Sequence, residues 1–146
     1  MGTGPVNATI EKFGYPATLV REWEHWLVLL RPAQVTLGSL VLVAKGDATA
    51  YGALSAKAFA EQAAAVAAIE KALAAFCRYE RINYLMLMMV DPHVHFHVIP
   101  RYSGNREWGG VEFIDQGWPC PPDLKAATAL SAIQISILRD ELKIYF

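Results

Sequence analysis

Short apolar runs bounded by turn-forming residues mark the first half of the chain. Residues 24–31 (EHWLVLLR) and 39–45 (SLVLVAK) are rich in valine and leucine and flank a segment, 32–38, that contains proline and glycine. Runs of this length and composition predict two strands joined by a loop. Because both runs are apolar at successive positions, we expect both faces of these strands to be covered.

A long helix is predicted between the two pairs of strands. Ser55 is a suitable N-cap, and the helical pattern ends near Tyr79. Apolar residues recur at spacings of seven, three, four and three, which place them on one helix face: Phe59, Val66, Ile69, Leu73 and Phe76.

Two further apolar runs follow this helix. Residues 82–90 (INYLMLMMV) and 93–102 (HVHFHVIPRY) are separated by Asp91 and Pro92. Proline interrupts a strand ladder, and so short a separation predicts an antiparallel hairpin. The three methionines of the first run, Met86, Met88 and Met89, are expected in the core.

The last part of the chain has weaker signals. Residues 103–122 show no clear periodicity, which predicts an ordered irregular segment anchored by Trp108 and Trp118. Asp123 is expected to cap a final helix that reaches Leu142. The order of strands, helix, strands and helix predicts an α+β fold with an antiparallel sheet.

Length and composition narrow the class of protein. The chain has 146 residues, of which 54% are apolar, and this predicts a single domain over residues 1–146. A net charge of -1 without a basic run argues against nucleic acid or a membrane surface as partner. The apolar runs fall short of the ~20 residues that a membrane span needs. The absence of a signal-peptide pattern at the start and of CxxC spacing leads us to expect a cytoplasmic protein.

Candidate chemistry is concentrated in three histidines at alternate positions, His93, His95 and His97. Side chains alternate between the two faces of a strand, so all three should point to one face, with neighbours ~6.5–7 Å apart. The residues between them, Val94, Phe96 and Val98, would point into a core.

Three explanations of this row remain open. A purely structural role for the three histidines is the hardest to explain, because all the nitrogens of buried imidazoles need hydrogen-bond partners. A metal site for Zn²⁺ or Fe²⁺ could use the histidines together with Asp91. Catalysis is the third, and it is implied by the family resemblance described next, since a neutral imidazole near pH 7 suits a nucleophile. His25 lies outside this row and is expected to be packed or at the surface.

The segment HVHFHVI, followed by Pro100 and Arg101, resembles the signature of the histidine triad (HIT) superfamily, particularly its dinucleoside polyphosphate hydrolase branch. The resemblance covers about residues 24–101, and the order of elements agrees with it. It implies a HIT-like α+β fold and a homodimer. It also implies a nucleotide hydrolase or nucleotidyl transferase that attacks an α-phosphate of a small nucleotide. No resident cofactor is implied, although Mg²⁺ can accompany the substrate.

The resemblance also implies roles for individual residues. His95 would be the nucleophile that forms a nucleotidyl-imidazole intermediate, while His93 and His97 would orient the site, bind phosphate oxygens or protonate the leaving group. Asn83 and Arg101 would contact phosphate, although a turn-forming asparagine and a solvated arginine are equally good interpretations. Trp108 and Trp118 could stack on a base, but anchoring of the segment is the favoured interpretation.

Several positions depart from the family pattern. Ser39 stands where members often carry a fourth histidine, so it is expected at that position among the nucleotide- or phosphate-binding residues. No acidic residue for the ribose hydroxyls is evident in the segment 31–34 (RPAQ). The segment 88–92 (MMVDP) replaces a glycine-rich loop. These departures support a rival hypothesis, a nucleotide-binding module with little turnover. A metal-dependent hydrolase that uses the histidine row is the second rival.

Overall fold

An antiparallel five-stranded sheet with the order β1-β2-β4-β6-β5 forms the centre of the computed structural model, which describes residues 5–146. Two short two-stranded pairings, β3-β9 and β7-β8, complete the strand pairing of these residues. The elements in chain order are α1 (Ala8–Lys12), β1 (Leu19–Glu22), β2 (Trp26–Leu30), β3 (Ala33–Gln34), β4 (Leu40–Ala44), a 3₁₀ turn (Tyr51–Ala53), α2 (Ala56–Cys77), β5 (Arg81–Leu85), β6 (His95–Arg101), β7 (Asn105–Trp108), β8 (Val111–Ile114), β9 (Thr128–Ala129) and α3 (Ala132–Lys143). This is the predicted α+β fold.

The two strands predicted in the first half are confirmed as β2 and β4. They pair antiparallel from Trp26 opposite Ala44 to Leu30 opposite Leu40, and every residue of both strands is buried. The apolar runs therefore correspond to strands covered on both faces, as predicted.

The long helix is confirmed, but its buried face is not the predicted one throughout. The Ser55 hydroxyl caps α2 by accepting from the Ala58 N–H, and Ile69 and Leu73 are fully buried. Phe59, however, is 38% exposed, while small residues such as Ala65 are buried. Alanine lets the helix approach the sheet closely, so a pattern based on large side chains alone misjudged this face.

The antiparallel pairing of β5 with β6 is confirmed, but the tight connection is wrong. Strand β5 ends at Leu85 and β6 begins at His95, so residues 86–94 form a loop. Met88 adopts a left-handed φ of 50° there, and Met89 is 86% exposed. The prediction of a core position is therefore wrong for Met89, whereas Met86 and Met88 do pack against the core.

Two predictions for the last part of the chain are corrected. A hairpin, β7–β8, turns at Gly109 and Gly110, which both have positive φ, a conformation that glycine adopts without strain. The final helix begins after Ser131, whose hydroxyl forms a capping box with Gln134. The Asp123 carboxylate instead accepts from the Lys125 N–H in a turn eight residues earlier.

The sheet separates two apolar layers. On one face, residues such as Val28, Leu42 and Val98 belong to the main core with Ile69 and Leu73 of α2. On the other face, a smaller layer packs beneath α1: Ile10, Leu27, Leu29, Val41 and Val43, with Phe13, Tyr15 and Leu19 beside them. The histidine row belongs to this second face, because His95 pairs with Val43 and His97 with Val41. Among residues 5–146, no helix has the length and apolar character to cross a membrane.

Candidate active site

His95 lies at the first position of β6 with its ring fixed by the preceding backbone. Its Nδ1 is 2.7 Å from the carbonyl oxygen of His93. A carbonyl only accepts, so Nδ1 must carry the proton, and in the neutral ring the lone pair is on Nε2. The side chain is 2% exposed. This contact therefore selects the tautomer that a nucleophilic imidazole needs.

His97 lies next along the same face and is held neutral. Its ring is 5.2 Å from that of His95, in an edge-on arrangement. Burial, the Arg31 charge and His95 together lower the pKa of His97 to about 4, against a smaller opposing effect of Asp91. Arg31 donates from Nε to Nδ1 of His97 over 3.4 Å, so the His97 proton is on Nε2. His97 can therefore donate a hydrogen bond without carrying charge.

Arg31 gives this end of the row a positive charge. Besides His97, its guanidinium donates to the Ala33 carbonyl, and no ion pair with a carboxylate is found for it among the described residues. Burial lowers the pKa of Arg31, as expected for a cation with little solvent around it. Such a group, with guanidinium N–H groups to spare, is suited to bind an anion.

His93 precedes β6 and contacts the short helix α1, so the predicted strand start at His93 is wrong by two residues. Its Nδ1 shares a 2.9 Å hydrogen bond with the Thr9 hydroxyl. Lys12, in the next turn, forms an ion pair with Asp91 at 2.8 Å. Helix α1 is itself fixed by Asn7, which caps it and donates to the Ala44 and Gly46 carbonyls.

The Phe13 ring covers two of the three histidines. Its ring lies 5.7 Å from the rings of both His95 and His97. Together with the Thr9 contact to His93, this places all three imidazoles against α1 and the residue that follows it. The shared face predicted from alternation is therefore the face that the structure has, and it lies beneath a cover that the sequence did not indicate.

The geometry does not favour the row as a metal site. Asp91 is paired with Lys12, and the Arg31 guanidinium beside His97 would repel a cation. Within residues 5–146, the group of possible ligand atoms that lie within 4.8 Å of one another is instead Glu24, His25 and Glu61.

Ser39, a predicted nucleotide- or phosphate-binding residue, lies in the turn directly before β4. Its hydroxyl donates to the Thr36 carbonyl and accepts from the Thr36 N–H, and the residue is fully buried. The Gln34 side chain completes this turn by accepting from the Ser39 N–H and donating to its carbonyl. Both functions of the Ser39 hydroxyl are thus used within its own turn.

Asn83 and Arg101 come together, with Arg101 at a distance from the histidines. Arg101 forms a buried two-point ion pair with Asp115, at 2.6 and 3.1 Å, and donates to Asn83 Oδ1 at 2.7 Å. Arg101 is four residues beyond His97 on β6, or ~13 Å along the strand. Arg101 is therefore separated from the histidine row, while Asn83, which pairs with Ile99, is held by its hydrogen bond from Arg101.

Sequence reasoning missed Arg31, Thr9 and Phe13 as neighbours of the triad. A charged residue at the end of the apolar run 24–31 was the one available signal for Arg31. Trp108 anchors its hairpin as predicted, because its indole N–H donates to Glu141 of α3. His25 is largely buried, with a side chain that is 13% exposed, so of the two predicted alternatives, packed or at the surface, the structure has the packed one.

The chain matches no protein-family model and no curated protein sequence. Its fold is that of solved histidine triad proteins. A histidine triad (HIT) protein from Sinorhizobium meliloti has a TM-score of 0.75 at 18% identity, covering 99% of this chain and 98% of its own. A histidine triad protein from Bradyrhizobium japonicum has a TM-score of 0.69 at 17% identity, covering 97% of both chains. A diadenosine triphosphate hydrolase from Plasmodium falciparum has a TM-score of 0.65 at 11% identity, covering 89% of this chain and 76% of its own.

Proposed function

We propose that this protein is a nucleotide hydrolase or nucleotidyl transferase that attacks an α-phosphate through His95. The observation that carries the proposal is the 2.7 Å contact between His95 Nδ1 and the His93 carbonyl, which leaves the lone pair on Nε2. The shared fold with histidine triad proteins, one of them a diadenosine triphosphate hydrolase, supports it.

The reaction has two displacements. Nε2 of His95 bonds to the α-phosphorus while the bond from phosphorus to the leaving group breaks, and the leaving group departs with that electron pair. Water or a second acceptor then attacks the nucleotidyl-imidazole and releases its proton to solvent, while the P–N bond breaks and its electron pair returns to Nε2. His97 donates from Nε2–H, and Arg31 donates from its guanidinium, to phosphate oxygens. Mg²⁺ enters only as a counter-ion of a polyphosphate substrate.

Phe13 must move for this reaction to occur. With His95 2% exposed beneath the Phe13 ring, a phosphorus atom cannot approach Nε2 in the closed arrangement. Substrate binding in this proposal therefore displaces Phe13, and α1 with it, from the two imidazoles.

Trapping the covalent intermediate tests the proposal. Rapid quenching with diadenosine triphosphate or an adenosine phosphoramidate labelled at the α-phosphate should leave label on the wild type and none on His95→Asn. We expect His95→Asn to lower kcat by ~10⁴-fold or more. His93→Asn and His97→Asn, which remove one hydrogen-bonding group each, should lower it by ~10–100-fold. Label that persists on His95→Asn, or activity that survives there and disappears with a chelator, would contradict the assignment.

A nucleotide-binding module with little turnover is the second candidate, favoured by the burial of His95. It predicts saturable AMP binding near His95, together with no turnover of either substrate class by the wild-type protein.

We also propose that the protein forms a homodimer through the β5 edge. In the sheet, β5 is hydrogen-bonded to β6 alone, while the other edge strand, β1, contacts α3. Next to β5, helix α2 presents Phe59, Val66 and Glu70 in an open groove, and Glu70 accepts from the Tyr84 hydroxyl of β5. A second copy could pair its β5 with this edge and cover the groove.

Light scattering should show a dimer, and Val66→Glu should give a folded monomer. A monomeric wild type would overturn this proposal.

A further inference from the structure

A cavity lies on the histidine-bearing face of the sheet, beyond His97 along β6. It has a volume of about 390 Å³, within the range of small-molecule sites. Its lining contains none of the three histidines and comprises Arg81, Asn83, Arg101, Trp118 and the segment 119–121. The cavity is therefore a separate place on the molecule.

Arg101, which lines the cavity, belongs to a buried ion pair with Asp115 behind the lining. Arg101 and Asp115 have side chains that are 5% and 1% exposed. Arg101 donates to both Asp115 carboxylate oxygens and to the Cys120 carbonyl, and its Nη1 donates to Asn83 Oδ1. Because Arg101 takes the amide oxygen, the Asn83 side chain is oriented with its two Nδ2–H donors available to the cavity.

The charges around the cavity favour an anionic ligand. Asp115 neutralises Arg101, whereas Arg81 is exposed and donates from Nη1 to the Glu80 carbonyl. The neighbouring Glu80 carboxylate is engaged by Ser103, because it accepts hydrogen bonds from the Ser103 N–H and hydroxyl. The cavity thus presents the Arg81 cation and the Asn83 N–H donors, a set that suits a phosphate monoester.

An apolar wall stands opposite these donors. Trp118 lines the cavity together with Pro119 and Pro121, and the turn 115–120 is fixed by backbone hydrogen bonds from Trp118 to Asp115 and from Cys120 to Gly117. An indole in a fixed turn offers a face for a planar ring.

We propose that this cavity binds a mononucleotide, with the base against Trp118 and the phosphate held by Arg81 and Asn83. This site is distinct from the proposed catalytic site and does not depend on it. A ring-bearing phosphate fits both parts of the cavity, whereas inorganic phosphate or a nucleoside alone would use one part each.

NMR of the full chain labelled with ¹⁵N tests the proposal at the site itself. The Trp118 indole N–H is assigned with Trp118→Phe, and its shift is followed during titration with AMP, adenosine or inorganic phosphate. We expect a saturable shift with AMP, and at least tenfold weaker binding of adenosine and of phosphate. Asn83→Asp should weaken AMP binding at least tenfold, because the carboxylate still accepts from Arg101 but repels a phosphate.

A matched pair of charge variants completes the test. Arg81→Gln should weaken AMP binding at this site, whereas Lys71→Gln, which removes one positive charge from an exposed position of α2, should not. Arg81 is exposed, so its variant should fold even if Asn83→Asp does not. An unchanged chemical shift of the Trp118 indole N–H at millimolar AMP would overturn the proposal. So would an equal shift in Arg81→Gln, which would show that Arg81 does not hold the phosphate. Failure of nucleotide turnover would leave this result unaffected.

Discussion

Arg31 donates from Nε to Nδ1 of His97 over 3.4 Å and so places a cation beside the last histidine of the row. The burial of His97, and then this charge, keep its imidazole neutral and lower its pKa to about 4. The two residues therefore act as a unit: a neutral N–H donor and a fixed positive charge at the same end of the candidate active site.

His97 should make the stability of the protein depend on pH in the acid range. Its folded pKa of about 4 lies below the ordinary value of 6.5. Between these values the unfolded chain binds the proton more readily, so the free energy of unfolding should rise as the pH increases from about 4 to about 6.5. Allowing for solvent screening, we expect a gain of about 1–3 kcal/mol from this group. Urea unfolding across this range measures it.

Carboxylates also titrate in this range, so the comparison that isolates His97 is with His97→Gln. This variant keeps a hydrogen-bonding side chain without a titrating ring. Its stability should rise less over the same pH interval. If the two proteins show parallel pH profiles, the lowered pKa of His97 is wrong.

Arg31→Gln should lower kcat/KM most for substrates whose leaving group carries a phosphate. The leaving group of a dinucleoside polyphosphate carries charge that Arg31 can bind, whereas that of a phosphoramidate does not. Loss of a charged hydrogen-bonding group costs about 1.5–3 kcal/mol, so kcat/KM for diadenosine triphosphate should fall ~10–150-fold. The fall for an adenosine phosphoramidate should be smaller. Arg31→Lys, which keeps the charge, should recover part of the loss. Equal effects on the two substrates would exclude this role.

Ser39→Ala should destabilise the protein without a specific effect on catalysis. The hydroxyl makes two hydrogen bonds to Thr36 in a fully buried turn, and its loss leaves the Thr36 N–H without this acceptor, while the Thr36 carbonyl keeps the Ser39 N–H as donor. We expect a decrease of about 1–3 kcal/mol in the free energy of unfolding, measured by denaturant titration. Ser39→His should destabilise more, because the larger ring has no room there. Enhanced turnover in a stable Ser39→His variant would instead assign this turn to the active site.

Phe13→Ala should open the triad. The Phe13 ring contacts the imidazoles of both His95 and His97, so its removal should increase the exposure of His95. Carbethoxylation of His95 by diethylpyrocarbonate, followed by mass spectrometry, should accelerate at least tenfold. Ile133→Ala, which truncates an exposed apolar side chain on α3, serves as the control and should leave this rate unchanged. An unchanged rate in Phe13→Ala would show that Phe13 does not limit access.

Local patterns alone determined the strands β2 and β4, the helix α2 and the shared face of His95 and His97. Each depends on a period of two or 3.6 residues that covalent geometry imposes wherever the element forms. Periodicity alone does not determine where a strand or helix ends when that end depends on contacts with distant segments. The loop 86–94 reads as strand by composition, yet Met88 turns the chain and Met89 remains exposed.

The surroundings of the histidines were decided by tertiary structure. Arg31 meets His97 across 66 residues, and Thr9 meets His93 across 84, through elements that pack on the sheet from different parts of the chain. The same packing turns Arg101 towards Asp115 rather than towards the triad, and the carboxylate offsets the cost of burying the Arg101 charge. Alternation along β6 fixes which face a side chain occupies, but the partner it finds on that face depends on which distant segment lies above it.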